Sequence, residues 1–159
     1  MKKVFLGLCI GVALVASEGR SGLSDLDIGD DSKTYDRLFK LAKSGDIDSQ
    51  TMLGEMHLDG IGCDVDKNKA FYWISKAANR GDSEAQYLLG FMYENGIRVE
   101  TNMDRAAALY KKAAKNGDIM AKFNLALMYK EGKGVKVDKV KAYALLKEIE
   151  DSRLKIASR

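Results

Sequence analysis

The sequence predicts an all-α fold, a right-handed α-solenoid in which helix-turn-helix units stack in sequence order. The first observation is a set of residues that recur every 36 positions. The recurring sets are Gly45-Asp46, Gly81-Asp82 and Gly117-Asp118; Leu53, Leu89 and Leu125; Met56, Met92 and Met128; Gly60, Gly96 and Gly132; and Ala70, Ala106 and Ala142. A fixed period of about 20 to 50 residues is typical of stacked repeats. The second observation is the helical spacing of apolar residues within each unit.

The amino-terminal segment, residues 1–18, is typical of a secretory signal peptide. Lys2-Lys3 precedes an uncharged apolar run over residues 4–16, which ends in small residues suited to cleavage. This run is shorter than the roughly 20 residues needed to span a bilayer, so a membrane anchor is the weaker alternative. Cys9 lies inside the run and does not follow it, which argues against a lipidated cysteine. We therefore expect a periplasmic or secreted protein with no membrane span after signal removal.

Each repeat unit is expected to contain a helix A, a loop, a helix B and a tight turn. In the first full unit, helix A covers residues 47–58 and ends at Gly60, where a positive φ favours glycine. Asp66 caps helix B by accepting hydrogen bonds from free backbone N–H groups. Helix B ends at Gly81, and Asp82 caps the next helix A. The chain has no proline, so glycines and Asp or Asn caps alone set the helix ends.

The repeat domain is expected to span residues 33–150, between a flexible lead and a carboxyl-terminal cap. Its parts are a half unit, residues 33–45, and three units, residues 46–81, 82–117 and 118–150. The half unit has the sequence of a helix B without its helix A. The lead covers residues 19–32. The repeat pattern fades after Lys147, so residues 151–159 are predicted to form a polar, partly helical cap.

Small residues predict where the two helices of a unit approach each other. Gly54, Gly90 and Ala126 form one column on helix A, and Ala70, Ala106 and Ala142 form one column on helix B. His57, the only histidine, shares a column with Tyr93 and Tyr129. We interpret it as a core substitute for tyrosine, with a ligand or general base as the alternative.

Cysteine and charge usage place further limits on function. Cys63 is the one cysteine outside the predicted signal, and it aligns with Val99 and Val135. This alignment predicts a buried packing role, with a reactive thiol as the alternative. Residues 17–65 contain 11 acidic and 5 basic side chains, whereas residues 66–159 contain 12 acidic and 19 basic. This polarity can steer a charged partner, although a solvated surface also explains it, and export disfavours nucleic acid.

The repeated phrase resembles the Sel-1-like repeat, which belongs to the tetratricopeptide-like α-solenoids. The resemblance is carried by Ala85-Gln86-Tyr87-Leu88-Leu89-Gly90-Phe91-Met92-Tyr93, Gly96, Ala106 and Lys112-Ala113-Ala114-Lys115-Asn116-Gly117. It implies an adaptor or scaffold whose helices A line a concave face. Exported bacterial members are linked to host-cell interaction, envelope assembly and toxin immunity. One exported subgroup binds β-lactams and holds each repeat with a disulfide, and this sequence lacks those paired cysteines.

If helix A faces inward, the side chains opposite its core stripe form the protein-binding surface. The candidate residues are Glu55, Glu84, Tyr87, Phe91, Glu94, Phe123, Leu127 and Lys130. The aromatic and aliphatic members would form an apolar strip with a charged rim, and grooved aromatics often anchor a protein partner. Packing is the alternative role for Tyr87 and Phe123.

A second candidate surface is a series of lysines in and around the last loop between helices. Its members are Lys130, Lys133, Lys136, Lys139 and Lys141. They could meet an acidic partner, and a solvated loop is the alternative.

Catalytic and metal-binding patterns are weak. Ser152-x-x-Lys155 matches a serine–lysine pattern but lacks the companion motifs of penicillin-recognising enzymes. A Cys63–His57 nucleophile pair is conceivable, but both residues occupy columns that look apolar. One histidine and one mature cysteine do not make a typical zinc site. We therefore assign no catalytic residue, metal or cofactor.

The function expected from these observations is an exported, periplasmic protein-protein interaction module that is not an enzyme. It would bind another protein or a peptide as a monomer, as an adaptor or host-facing scaffold. A sharper version is an immunity protein that blocks a periplasm-acting toxin. The alternative is a cell-wall-related enzyme or β-lactam-binding protein.

Overall fold

The computed structural model describes residues 31–157, and the predicted signal peptide and most of the predicted lead lie outside them. Seven α-helices and no strand make up this described part of the chain. The helices are α1, Asp31–Ser44; α2, Ile47–Asp59; α3, Lys67–Asn79; α4, Ser83–Asn95; α5, Met103–Lys115; α6, Ile119–Glu131; and α7, Lys139–Ala157. Each helix packs mainly against the helices next to it in sequence. The predicted all-α fold of stacked hairpins is confirmed.

The helices form a half unit followed by three units. Helix α1 takes the place of a helix B, and the pairs α2–α3, α4–α5 and α6–α7 are the A and B helices of units 1, 2 and 3. Helix α1 begins at Asp31, slightly before the predicted start at residue 33. Helix α7 continues without a break to Ala157, so the predicted carboxyl-terminal cap is an extension of the last helix B.

The predicted carboxylate and amide caps begin all six helices of the three units. In the A helices, Asp46, Asp82 and Asp118 accept hydrogen bonds from the backbone N–H of the third helical residue, at 2.9, 2.8 and 2.6 Å. The B helices are capped in the same way by Asp66, Asn102 and Asp138. A cap of this kind stabilises a helix by about 1 kcal/mol. The caps therefore fix where each unit starts.

Glycines end the helices in a left-handed conformation, as predicted. Gly60, Gly96 and Gly132 follow the three A helices with φ values of 73°, 65° and 74°. Gly81 and Gly117 follow the B helices of units 1 and 2, with φ values of 96° and 94°. An L side chain in this region costs about 1 kcal/mol or more, which explains the choice of residue.

In units 1 and 2, the glycines of the predicted small-residue column lie where helix A and helix B are in close contact. A Cβ atom added to Gly54 would lie 2.4 Å from Cγ1 of Ile74, and one added to Gly90 would lie 2.8 Å from Cε1 of Tyr110. The glycines of helix A thus receive large side chains from helix B, and the predicted alanines of helix B lie one turn away. Ile74 and Tyr110 are fully buried as a result.

A repeated glutamine connects each of the first two units to the helix before it. The side-chain N–H of Gln50 donates to the carbonyl of Ala42 at 3.0 Å, and Gln86 donates to Ala78 at 3.3 Å. Both amides are buried. Each adds a second hydrogen bond to a carbonyl in the last turn of α1 or α3 that already accepts from the backbone N–H of Gly45 or Gly81. The two bonds hold neighbouring units in register.

Two alanine substitutions separate backbone strain from crowding. Gly81→Ala places a Cβ in open space at a positive φ, so we expect a loss of about 1 kcal/mol in the free energy of unfolding. Gly54→Ala keeps a helical φ but overlaps Ile74, so we expect a larger loss, of about 2 kcal/mol or more. Urea denaturation measures both.

The paired substitution Gly54→Ala with Ile74→Val is the control for crowding. Shortening Ile74 should recover part of the stability that Gly54→Ala removes. A Gly54→Ala protein as stable as wild type would contradict the proposed close approach.

Candidate protein-binding surface

The structure places the eight predicted contact residues on the three A helices. Glu55 lies on α2, the members from Glu84 to Glu94 lie on α4, and Phe123, Leu127 and Lys130 lie on α6. The members on α2 and α4 are half-buried, whereas the three on α6 are exposed. The candidate surface is therefore most accessible in unit 3.

Two of the α4 residues are held by contacts with the core. The ring of Tyr87 lies 5.8 Å from the ring of Tyr110, and it packs against the apolar cluster between α4, α5 and α6. The Tyr110 hydroxyl donates a 2.6 Å hydrogen bond to the Glu94 carboxylate. Burial and this carboxylate raise the pKa of Tyr110 well above its ordinary range. Tyr87 and Glu94 thus contribute to packing as well as to any surface.

Helix α6 presents a group of exposed apolar side chains, which we call the α6 patch. Its members are Ile119, Met120, Phe123 and Leu127. Phe123 and Leu127 are 44% and 37% exposed. Phe123 occupies the repeat position of the half-buried Tyr87. Within residues 31–157 no helix follows α7, so nothing in this part of the chain covers Phe123 as unit 3 covers Tyr87.

The last helix B is exposed for the same reason. Tyr143 and Leu146 on α7 are 70% and 42% exposed, whereas their equivalents on α5, Ala107 and Tyr110, are buried. The exposed apolar area of the array therefore concentrates on the hairpin of unit 3. The sequence predicted Phe123 and Leu127 as surface residues but not Tyr143 or Leu146, because exposure depends on the neighbour that each unit receives.

A polar cluster in unit 1 brings His57, Cys63 and Tyr35 together. His57 is fully buried, with Nδ1 lying 3.3 Å from Sγ of Cys63 and Nε2 lying 3.3 Å from the Tyr35 hydroxyl. The rings of His57 and Tyr35 meet edge to face at 5.6 Å. Cys63 is half-buried, so it is less enclosed than its apolar column predicted.

The electrostatics of this cluster favour its neutral form. Burial lowers the pKa of His57 and raises the pKa of Cys63. A nucleophilic cysteine requires the reverse, a thiolate stabilised by a nearby positive charge. The cluster is therefore built for packing, in line with the interpretation of His57 as a substitute for tyrosine.

The lysines of the last loop are exposed, and two of them are paired. Lys133 forms a 2.7 Å ion pair with Glu131, and Lys141 forms a 3.0 Å ion pair with Asp138. These pairs raise the pKa of both lysines. Exposed pairs of this kind add little stability, so the lysines are free to exchange partners at small cost.

The described residues show two further features that bear on function. No group of three or more His, Cys, Asp or Glu side chains in this part of the chain is arranged to hold a metal ion. Each helix between residues 31 and 157 is too short or too polar to cross a bilayer.

Comparison with known proteins identifies the repeat. The model of the Sel1 repeat family matches residues 47–82, 83–118 and 119–148. These segments begin at the first helical residue of α2, α4 and α6. No curated protein matches the sequence.

Several solved structures are similar to this chain. A protective antigen of uropathogenic Escherichia coli strains that displays an SLR fold is 36% identical with a TM-score of 0.71, over 74% of this chain and 25% of that one. A Sel1 repeat protein from Oxalobacter formigenes is 30% identical with a TM-score of 0.69, over 76% of this chain and 90% of that one. The cysteine rich protein B of Helicobacter pylori is 26% identical with a TM-score of 0.58, over 72% and 87%. The match thus spans about a quarter of the Escherichia coli antigen.

The neutral His57 makes the stability of unit 1 sensitive to pH. The pKa of His57 is lowered in the folded protein. Its contribution to the free energy of unfolding is therefore complete above the ordinary pKa of about 6.5 and is lost as the pH falls below that value. His57→Tyr, which installs the residue of units 2 and 3, should remove this dependence. Denaturation at pH 7.5 and pH 5 should show the stability of wild type falling relative to the variant.

Asp59 and Asp118 also have raised pKa values, but they are present in both wild type and His57→Tyr. The difference between the two pH profiles therefore reports on His57. Parallel pH profiles for wild type and His57→Tyr would contradict the neutral, buried state of the imidazole.

Proposed function

This chain belongs to the Sel1 repeat family, and we propose that it is an exported protein-protein interaction module that binds its partner through helix A of unit 3. Sel1 repeats are scaffolds that mediate contacts between proteins, and such scaffolds are generally not catalytic. Beyond this general role, we assign the contact to helix A of unit 3 and the protein to the periplasm or the exterior. The signal-like residues 1–18 support the assignment to the periplasm or the exterior.

The exposure of the α6 patch is the observation that carries this proposal. Isolated exposed apolar residues are common on protein surfaces. Four such side chains on a helix of 13 residues are less so, and contiguous apolar patches often mark interaction sites. An aromatic and an aliphatic anchor, Phe123 and Leu127, lie beside the cationic Lys130. This combination resembles the anchors and charged rim of a protein interface.

Three narrower roles fit such a surface. The protein could serve as a periplasmic adaptor, as a host-facing scaffold or as an immunity protein against a periplasm-acting toxin. All three use the same contact with another protein or a peptide, and a monomer suffices for each. We propose the adaptor as the general case, because the described residues favour no single partner.

The alternative, a cell-wall-related enzyme or β-lactam-binding protein, has less support. Its best nucleophile would be Cys63 beside His57, and burial favours the thiol and the neutral imidazole at that pair. The paired cysteines that the β-lactam-binding subgroup uses are missing, since the whole chain has two cysteines and one lies in residues 1–18.

A photocrosslinking experiment tests the proposed contact. A benzoylphenylalanine at position 123, in the protein expressed in its own bacterium, should capture one protein that mass spectrometry identifies. The same group at Tyr72, which is exposed on α3, is the control and should not capture it.

Binding measurements with the purified partner give the second test. Phe123→Ala with Leu127→Ala should weaken binding by tenfold or more, because buried anchors each contribute about 1 kcal/mol or more. The melting temperature should fall much less than for substitution of a buried residue, since Phe123 and Leu127 are already 44% and 37% exposed. Tyr72→Ala with Leu41→Ala removes an exposed aromatic and a leucine of similar exposure elsewhere, and it should leave affinity unchanged.

Two results would contradict the assignment. Unchanged affinity in the folded double variant would place the interface elsewhere. A large fall in the melting temperature would show that Phe123 and Leu127 belong to the core. Turnover of peptidoglycan or a β-lactam, abolished by Cys63→Ser, would favour the enzyme.

A further inference from the structure

Unit 3 contains an open depression of about 320 Å³ at the loop between α6 and α7. Lys111 of α5, Tyr129 of α6, Lys141 of α7 and loop residues 134–138 form its walls. It lies at the loop edge of the hairpin and does not include any member of the α6 patch. A surface at this place is therefore independent of the proposed helix A contact.

The depression concentrates positive charge around one aromatic ring. The ammonium groups of Lys111 and Lys141 lie 5.7 and 5.4 Å from the centre of the Tyr129 ring, and Lys136 is on the wall. Asp138 is the one carboxylate among the lining residues, and it pairs with Lys141 at 3.0 Å. Within residues 31–157, Lys111 and Lys136 form no ion pair, so two ammonium charges there are not neutralised.

The preceding repeats lack positive charge at two of the three lysine positions. Lys136 aligns with Asp64 in unit 1 and Glu100 in unit 2, and Lys111 aligns with Ser75 in α3. Lys141 aligns with the basic residues Lys69 and Arg105, so a positive charge at that position is common to the three units. Lys111 and Lys136 therefore distinguish this depression from the equivalent places earlier in the array.

The aromatic residues around this position also differ between the units. In unit 2, the ring of Phe71 meets Tyr93 at 6.3 Å, and in unit 1 the ring of Tyr35 meets His57. The equivalent of Phe71 beside Tyr129 is Ala107. Tyr129 therefore lacks the aromatic neighbour that Tyr93 and His57 have, and lysine side chains lie around its ring.

We propose that this depression binds the carboxylates of a short acidic segment of a protein partner. Asp138 shows that a carboxylate fits against Lys141 at this place. The side chains of Val135 and Val137 offer an apolar wall for the methylene groups of glutamate.

A longer polyanion such as nucleic acid fits the array less well. The loops of units 1 and 2 carry Asp64 and Glu100 where the loop of unit 3 carries Lys136. A polyanion that follows the loop edge would meet these carboxylates, whereas a short acidic peptide contacts unit 3 alone. This difference favours a peptide ligand.

Fluorescence anisotropy with a labelled hexaglutamate peptide tests the proposal on the mature protein. Wild type should bind this peptide with saturation, and a hexaglutamine peptide should not bind. Lys111→Ser with Lys136→Glu installs the residues found one repeat earlier, Ser75 and Glu100, which the fold already accepts. This double variant should weaken binding at least tenfold. Lys40→Ser with Lys67→Glu makes the same change in net charge on exposed residues of α1 and α3, and should keep the affinity within about twofold of wild type.

A second variant tests the space and not the charge. Ala107→Phe restores the missing ring and keeps all three lysines, so it should weaken binding at least threefold while circular dichroism shows intact helices. An unfolded Ala107→Phe protein leaves the lysine variants as the deciding comparison.

Several outcomes would overturn the proposal. They are no saturable binding at millimolar peptide, an equal loss in both lysine variants, and a folded Ala107→Phe protein with wild-type affinity. A single-stranded oligonucleotide of equal charge that binds more tightly than the peptide, and depends on Lys111 and Lys136, would assign the site to nucleic acid instead. Phe123→Ala with Leu127→Ala should not affect the peptide, which separates this site from the α6 patch.

Discussion

The close approach of helix A to helix B at the glycines of units 1 and 2 is the constraint on which the rest of the structure depends. At Gly54 and Gly90 a single added carbon would overlap Ile74 or Tyr110. This contact fixes the angle and depth at which the two helices pack, because interiors are close-packed and have little room to adjust. The caps and left-handed glycines then set the helix ends at fixed distances from that contact. Repetition of the whole arrangement every 36 residues gives each unit the same two faces, so the units can stack in order.

Where the units share residues they build the fold, and where they differ they shape its surface. His57 and Cys63 replace tyrosine and valine in unit 1 and form a buried neutral pair. Arg98 holds a positive φ of 68° at a position that glycine fills in units 1 and 3, and its guanidinium lies over the Phe71 ring. In unit 3, lysines replace acidic or neutral residues, and the hairpin leaves apolar side chains uncovered. Both proposed contacts fall in this third unit, because it departs furthest from the pattern on its exposed sides.

The sequence was sufficient for the features that depend on local or periodic signals. The helix order, the Asp and Asn caps and the glycine stops could all be predicted, because each depends on residues within one or two turns. The contact of the Tyr35 hydroxyl with His57 could not, since it needs side-chain positions across two segments of chain, whereas the Cys63–His57 pair was already a candidate. The exposure of Phe123 also could not, because its equivalent Tyr87 is half-buried by a neighbouring unit. The lysine series was visible in the sequence, but the depression also needs Lys111 of the preceding helix B and the fold of the last loop.

Membership of the Sel1 repeat family and the exposed surfaces of unit 3 lead to the same picture, a rigid array that offers contacts to other proteins. This picture requires that the surfaces through which neighbouring units stack are interchangeable. Duplication of residues 82–117 after Gly117 tests this requirement most directly. Thermal unfolding followed by circular dichroism should show one cooperative transition at a melting temperature equal to or above that of wild type, with greater helical signal per molecule, because the insertion adds one more interface of the same kind. A lower melting temperature, or a second and independent transition, would show that the faces are not interchangeable and would contradict the account.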